Sequence, residues 1–232
     1  LLRVRRPGAK GFAILGANPL GRLLAKLLMQ RDHEVVLLDA NAAMCSEAEA
    51  EGLKVIYGNA MNENILLRAQ MDTRRAAIGM THNEAVNLLF VQKAREEAKV
   101  PYLFSAGDHN QGGVTTEHLR DADVRLLFGN EIDTELWSVR VRREQVVVQA
   151  WRRDVDARGT EPGLDREHRA LLLPLFTIEK DERLRPVDGQ SVFSEGTVFD
   201  QPGVEPGARV AARLAEDLGF PGDRFIVEDR SR

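Results

Sequence analysis

GFAILGANPLG, residues 11–21, is the stretch that decides the fold: a short apolar run leads into a turn bounded by glycines, with leucines at helical spacing behind it. The turn has the form G-x-N-x-x-G, from Gly16 to Gly21. A tight glycine turn of this kind connects a buried strand to a helix in nucleotide-binding α/β sheets. Asp39 ends the next apolar run, where an acid accepts hydrogen bonds from a ribose hydroxyl. We therefore predict a nucleotide-binding α/β domain.

Apolar runs and helix-like segments alternate through the first half of the chain. The six predicted strands are residues 11–16, 34–39, 53–57, 76–81, 100–105 and 124–128. The predicted helices between them are a leucine stripe from Leu20 to Leu28, weaker candidates at 42–51 and 63–71, and a long segment at 84–98 with Val86, Leu89, Phe90 and Ala94 on one face. This alternation predicts a Rossmann-like, doubly wound parallel sheet.

The pattern changes near residue 131, where we place a domain boundary. Beyond it we predict a strand at 136–150, a loop at 153–169, a hairpin from 171–179 and 183–188, turns at 194–207 and a short amphipathic helix at 208–218. The predicted domains are therefore 11–130, Rossmann-like, and 131–232, small and β-rich. Residues 1–10 carry four basic residues and no acid, which fits either a linker from a membrane region or a solvated tail.

Composition excludes several classes of function. The chain has 32 Lys and Arg against 36 Asp and Glu, a net charge of −4, whereas nucleic-acid surfaces are usually strongly basic. Its one cysteine, Cys45, permits no intramolecular disulfide and fits a reducing compartment. The sequence contains no apolar run long enough to span a membrane. We expect a fragment that is itself soluble and binds no nucleic acid.

Two residues of the turn bear on whether it binds a phosphate. Asn18 is a good helix N-cap, and its side-chain oxygen would accept from the backbone N–H groups that a phosphate would use. Pro19 suits the first helical position but offers no N–H. The turn is therefore either a phosphate site or a Rossmann turn that keeps its shape and binds phosphate weakly.

Two further polar segments follow predicted strands, and ligands of open α/β sheets bind at such carboxyl ends. They are Gly58-Asn59-Ala60 and Thr81-His82-Asn83-Glu84. Thr81 and Asn83 would serve equally well as plain helix caps. Catalytic signatures are missing from the sequence: neither tyrosine has a lysine four residues on, the five histidines lack metal-ligand spacing, and there is no P-loop. We expect no catalytic residues and no metal site.

These segments together resemble a known family. The order G-x-N-x-x-G, Asp39, Gly58-Asn59-Ala60 and Thr81-x-Asn83-Glu84 with Asn87-Leu88 is similar to the TrkA-N or RCK (KTN) domain, which regulates potassium channels, potassium uptake systems and cation–proton antiporters. The sequence stretches LGANPLGRLLAKLL and THNEAVNLL look most like the domain that follows the membrane region in bacterial NhaP-type sodium/proton antiporters. The likeness covers the first 130 residues firmly and the remainder loosely.

The resemblance implies roles for particular residues. Gly16, Asn18 and Gly21 would line the phosphate turn, Asp39 would hold the ribose, Asn59 would lie near the adenine, and Thr81 and Asn83 would border the cleft. Asn18 and Asn59 depart from the residues usual in the family. The candidate cofactor-binding residues are Gly16, Ala17, Asn18, Pro19, Leu20, Gly21, Asp39, Ala40, Gly58, Asn59, Ala60, Thr81 and Asn83.

The resemblance also implies a function. We expect a non-catalytic regulatory domain on the cytoplasmic face of the inner membrane, which forms a homodimer and gates the transmembrane antiporter domain of the same chain. Its ligand would be NAD(H), an adenine mononucleotide such as AMP, or none. The alternatives are an NAD-dependent oxidoreductase, supported only by the turn and Asp39, and a stand-alone regulatory subunit of a potassium uptake system.

Overall fold

The computed structural model describes residues 11–107, 113–129, 131–151, 172–178, 184–186 and 209–214. The chain divides into two compact units, Leu1–Val139 and Arg140–Arg232. The predicted linker at 1–10, the loop at 153–169 and the turns at 194–207 lie outside the described residues. The domain boundary placed at residue 131 stays a prediction.

The first unit holds a six-stranded parallel sheet in the order β3-β2-β1-β4-β5-β6, which confirms the Rossmann-like fold. Its strands are β1 Gly11–Leu15, β2 Val35–Asp39, β3 Val55–Tyr57, β4 Arg74–Gly79, β5 Tyr102–Ser105 and β6 Arg125–Leu126. Its helices are α1 Pro19–Met29, α2 Ala42–Ala50, α3 Glu63–Arg68, α4 Glu84–Ala98 and α5 Thr116–Asp121, with 3-10 turns at Met71–Thr73 and Leu127–Gly129. A sixth helix, α6 Thr134–Arg142, begins in this unit and ends in the second. The strand order reverses between β1 and β4, and ligands of such sheets bind above that reversal.

Successive strand residues point to opposite faces of the sheet. Because the strand residues are apolar at successive positions, both faces are buried against helices. Ala13 and Leu15 of β1 share one buried cluster with Phe90 and Val91 of α4. Along α1, the leucine stripe is buried most completely at Leu20, Leu24 and Leu28. The face predicted for α4 is partly wrong: its buried positions are Glu84, Asn87, Phe90, Val91 and Ala94, whereas Leu89 is 54% exposed.

The strand predicted at 136–150 is wrong in its first half. Residues Thr134–Arg142 form α6, and the strand β7 begins only at Val146. The helix begins because the Asp133 carboxylate accepts a hydrogen bond from the Leu136 N–H (2.7 Å). Its buried residues Thr134, Trp137 and Ser138 lie three and four positions apart, so burial follows the helical period and overrides the strand preference of the valines.

The second unit contains a four-stranded antiparallel sheet in the order β7-β10-β8-β9. Its strands are β7 Val146–Trp151, β8 Leu172–Ile178, β9 Leu184–Pro186 and β10 Arg209–Leu214. The pairing of β8 with β9 confirms the predicted hairpin. The helix predicted at 208–218 is wrong, because Arg209–Leu214 form the strand that pairs with both β7 and β8. Pairing on both edges satisfies the backbone of this segment as a helix would.

Candidate functional site

The turn between β1 and α1 requires both of its glycines. Gly16 has a φ of 115°, and a Cβ there would lie 2.8 Å from the carbonyl oxygen of Met80. A Cβ on Gly21 would overlap the carbonyl oxygen of Gly16. The backbone of the turn therefore folds onto itself and onto the end of β4, which leaves no room for a side chain at either position.

Asn18 uses its side chain twice. Its Oδ1 accepts a hydrogen bond from the Gly21 N–H (2.8 Å), which is the predicted N-cap, and Pro19 occupies the first helical position. Its Nδ2 donates to the carbonyl oxygen of Met80 (2.8 Å), a contact that was not predicted. The amide therefore connects the start of α1 to the end of β4, across the point where the strand order reverses.

The Asp39 carboxylate lies at the end of β2 and also holds the turn. One oxygen accepts from the Ala17 N–H (2.7 Å) and the other from the Asn41 N–H (2.8 Å). Asn41 in turn caps α2, because its side chain accepts from the Ala43 N–H (2.9 Å). The residue between them, Ala40, is exposed at this edge. Asp39 is therefore fixed in position, at the edge where a ribose would be bound.

Arg22, which was not among the predicted site residues, supports the turn from below. Its side chain is 8% exposed, and Nη1 donates to the carbonyl oxygen of Ala17 (2.8 Å). Nη2 lies 2.8 Å from a Glu47 carboxylate oxygen, and Nε lies 2.9 Å from Glu51 in an ion pair without hydrogen-bond geometry. Lys26 makes a second ion pair with Glu51 (2.9 Å). These contacts attach α2 to the turn.

The end of β3 adjoins Asp39, since the Gly58 N–H donates to the Asp39 carbonyl oxygen (2.8 Å). The exposed side chain of Asn59 turns back on its own loop and accepts from the Met61 N–H (2.8 Å). Ala60 is buried in the core cluster below. Asn59 is thus exposed at the carboxyl edge, close in sequence to the residue that contacts Asp39.

The end of β4 is organised by Asn87, a buried residue that the candidate list missed. Its Oδ1 accepts from both the N–H and the hydroxyl of Thr81 (2.8 Å each), and its Nδ2 donates to the Thr81 carbonyl oxygen (2.9 Å). Asn83 caps α4 by accepting from the Val86 N–H (3.1 Å), so the helix-cap alternative is confirmed for this residue. The fully buried amide of Asn87 fixes the turn that carries Thr81 and Asn83.

Two further ionisable groups lie near this edge. Glu84 is buried, and its Oε2 accepts from the Val114 N–H (3.2 Å). Burial, with a smaller effect of the Asp39 and Glu49 carboxylates, raises the pKa of the Cys45 thiol. Cys45 is therefore a buried helix residue and not an activated nucleophile.

Residues 12–111 match the model of the TrkA-N domain family. This segment is a TrkA-N domain. No curated protein matches the sequence. Within the part of the chain that the structure describes, no helix is long and apolar enough to cross a membrane, and no cluster of three or more His, Cys, Asp or Glu side chains could hold a metal ion.

The solved structures that are similar to the chain include the following three. The TrkA-N domain of the inner membrane protein ybaL from Escherichia coli is 18% identical, with 58% of this chain and 95% of that one covered and a TM-score of 0.46. The NAD(P)-binding domain of an exopolyphosphatase-related protein from Archaeoglobus fulgidus is 14% identical over 57% and 96%, with a TM-score of 0.45. The GsuK RCK domain is 15% identical over 90% and 45%, with a TM-score of 0.43. The family assignment rests on the match to residues 12–111.

The strand-end segments of this TrkA-N domain are joined by hydrogen bonds. Asp39 connects β2 to the β1–α1 turn, Asn18 connects that turn to β4, and Gly58 connects β3 to β2. All the candidate residues named from the sequence lie in or directly beside these segments. Their part in ligand binding stays a prediction, and their geometry describes an edge built from neutral amides and one half-buried carboxylate.

Proposed function

We propose that this chain is a non-catalytic regulatory part of a monovalent cation (Na⁺ or K⁺)/proton antiporter. Adenine-nucleotide binding, pairing of two copies, or both would set the activity of a transmembrane domain in the same protein. The proposal rests on the TrkA-N family match. The amino-acid sequence of the turn and of residues 81–89 favours the antiporter context. The chain would then act at the cytoplasmic face of the membrane.

The edge of the sheet supports nucleotide binding in particular. Asp39 is held by two backbone N–H groups and is aimed at the β1–α1 turn, where a ribose diol would meet it. NAD(H) and an adenine mononucleotide such as AMP both carry that diol. A bound ligand alters transport only if it prefers one arrangement of the regulatory domains over another.

The same edge gives little support to catalysis. Of its acids, Asp39 accepts from the backbone of its own turn, and Glu84 is buried against Val114. Cys45 is buried and its pKa is raised, which opposes formation of the thiolate. A general acid or base must exchange a proton with the substrate, and both acids here already accept hydrogen bonds from backbone N–H groups.

The test compares the full-length gene product with a version that lacks this chain, both assayed for cation-driven proton movement in everted membrane vesicles. We expect the truncated protein to transport without responding to added AMP or NADH, while the intact protein responds. A second pair, intact protein against the intact Asp39→Ala variant, assigns the response to this edge. Identical rates and ion dependence in all versions, with and without nucleotide, would contradict the proposal.

A further inference from the structure

Most N–H groups of the β1–α1 turn already donate hydrogen bonds within the protein. The Gly16 N–H donates to the Leu38 carbonyl (2.8 Å), the Ala17 N–H to Asp39 and the Gly21 N–H to Asn18. Pro19 has no N–H. Four of the six positions that would face a phosphate in a Rossmann turn therefore offer it no donor.

The strand ends also lack lysine and arginine, and His82 is the one imidazole in these segments. Segments 16–21, 39–41, 58–60 and 80–84 contain two acids, Asp39 and Glu84, and no lysine or arginine. The described residues that follow β5 in this connection, 105–107 and 113–115, again include no lysine or arginine. Phosphate groups are usually met by Arg, Lys or a bound cation, because charge-assisted hydrogen bonds are the strong ones. These segments provide no such partner.

The nearest described cation to the turn is already neutralised. Arg22 contacts the turn at the carbonyl oxygen of Ala17, and its remaining nitrogens face Glu47 and Glu51. With Lys26, this cluster holds two cations and two carboxylates. The side chain of Arg22 is only 8% exposed, so its charge is paired with carboxylates inside the protein and is not available to a ligand above the turn.

An uncharged nucleoside, by contrast, finds suitable partners. An ionised carboxylate has about four acceptor sites, so Asp39 can keep its two backbone donors and still accept from two ribose hydroxyls. Keeping the Ala17 N–H bound to Asp39 at the same time denies that N–H to a phosphate. The exposed amides of Asn59 and Asn83 offer neutral groups to a base.

We propose that this TrkA-N domain recognises its ligand through the nucleoside and is nearly indifferent to the phosphates attached to it. The inference rests on the proposed function, since it takes the ligand to be an adenine nucleotide or nucleoside. It adds a ligand class: adenosine, AMP, ADP and NAD all present the same recognised part. Such a site reports the summed adenosine-bearing pool and does not report the state of phosphorylation.

The experiment titrates the 232-residue chain with adenosine, AMP, ADP and NAD by calorimetry, at low and at high NaCl. We expect dissociation constants that agree within about threefold and change little with salt, because no ion pair to phosphate is formed. Affinity that is about tenfold or more higher for AMP and ADP than for adenosine, and that falls with salt, overturns this inference and leaves the proposed function intact. No binding of any of the four ligands refutes nucleotide recognition itself.

Two variants of Asn18 test the cause. Asn18→Gly frees the Gly21 N–H, and we expect AMP and ADP to gain about three- to tenfold over adenosine. Asn18→Ser is the matched control: its neutral hydroxyl can still accept from the Gly21 N–H and it loses the same donation to Met80, so we expect no gain for phosphate. Thermal melts of both variants show that they are folded. Equal affinities for all ligands in folded Asn18→Gly would show that the committed N–H group is not the obstacle.

Discussion

Replacing Arg22 by methionine would remove the guanidinium that attaches α2 to the β1–α1 turn. Methionine keeps most of the apolar stem, so the packing of α1 changes little. The Ala17 carbonyl oxygen loses its 2.8 Å donor, Glu47 loses its ion pair with Arg22, and Glu51 keeps only its ion pair with Lys26. The variant therefore isolates the polar part of this cluster.

The size of the effect follows from these contacts. A hydrogen bond from a charged donor to the buried carbonyl contributes about 1.5–3 kcal/mol. The two ion pairs contribute less, roughly 0.2–1 kcal/mol each, because the side chain of Glu47 is 47% exposed and that of Glu51 is 31% exposed. We expect a loss of about 2–5 kcal/mol in the free energy of unfolding, and a melting temperature lower by roughly 6–20 °C for a unit of this size.

Urea unfolding followed by circular dichroism measures the loss, and tryptophan fluorescence of the Trp151→Phe background follows the buried Trp137 in the same unit. The matched control is Lys26→Met, which removes a 48% exposed ammonium paired with Glu51 and should cost under about 1 kcal/mol. If Arg22→Met is as stable as the native protein, or if Lys26→Met is equally damaging, Arg22 does not hold the turn in the way described here.

Three further predictions concern single positions. Gly21→Ala places a methyl group on the Gly16 carbonyl and should cost more than about 3 kcal/mol in urea unfolding, whereas Gly52→Ala, with a φ of 76° but open space around it, should cost about 1 kcal/mol. Asn87→Leu leaves three polar groups of one threonine without their partner and should cost about 2–4 kcal/mol by the same assay; a cost below about 1 kcal/mol would contradict this role. Cys45 should react slowly with a thiol reagent at neutral pH and rapidly in urea, because its raised pKa keeps the thiol of the folded protein protonated. The contribution of this thiol to the free energy of unfolding is complete below the ordinary thiol pKa and is lost as the pH rises through the raised value.

The parallel sheet was predictable because each strand and helix signal is local. Alternating runs identified β1 to β6, and α4 begins and ends at the predicted residues, Glu84 and Ala98. The errors fall where local preference and pairing disagree. Valines within 136–150 favour a strand, yet Asp133 begins a helix there. Arg209–Leu214 carries weak local signals, and its strand state depends on two partners distant in the sequence.

In the candidate site too, local contacts were predictable from the sequence and long-range contacts were not. The cap from Asn18 to Gly21 spans three residues, so the sequence alone predicts it. The bond from Asn18 to Met80 spans 62 residues and depends on β1 and β4 being neighbours, which no local pattern states. Arg22 likewise meets its acids only after α1 and α2 pack. Long-range partners of a polar side chain require the fold before they can be named.

The Asn18-Pro19 pair has a consequence for the chemical ageing of this protein. Asparagine deamidates mainly when the N–H of the next residue attacks the side-chain amide, and proline has no N–H with which to do so. Deamidation of Asn18 would turn its Nδ2 donor into a carboxylate oxygen facing the Met80 carbonyl, and would remove the side-chain bond between the turn and the end of β4. Proline at this position therefore closes the main chemical route by which that bond would be lost.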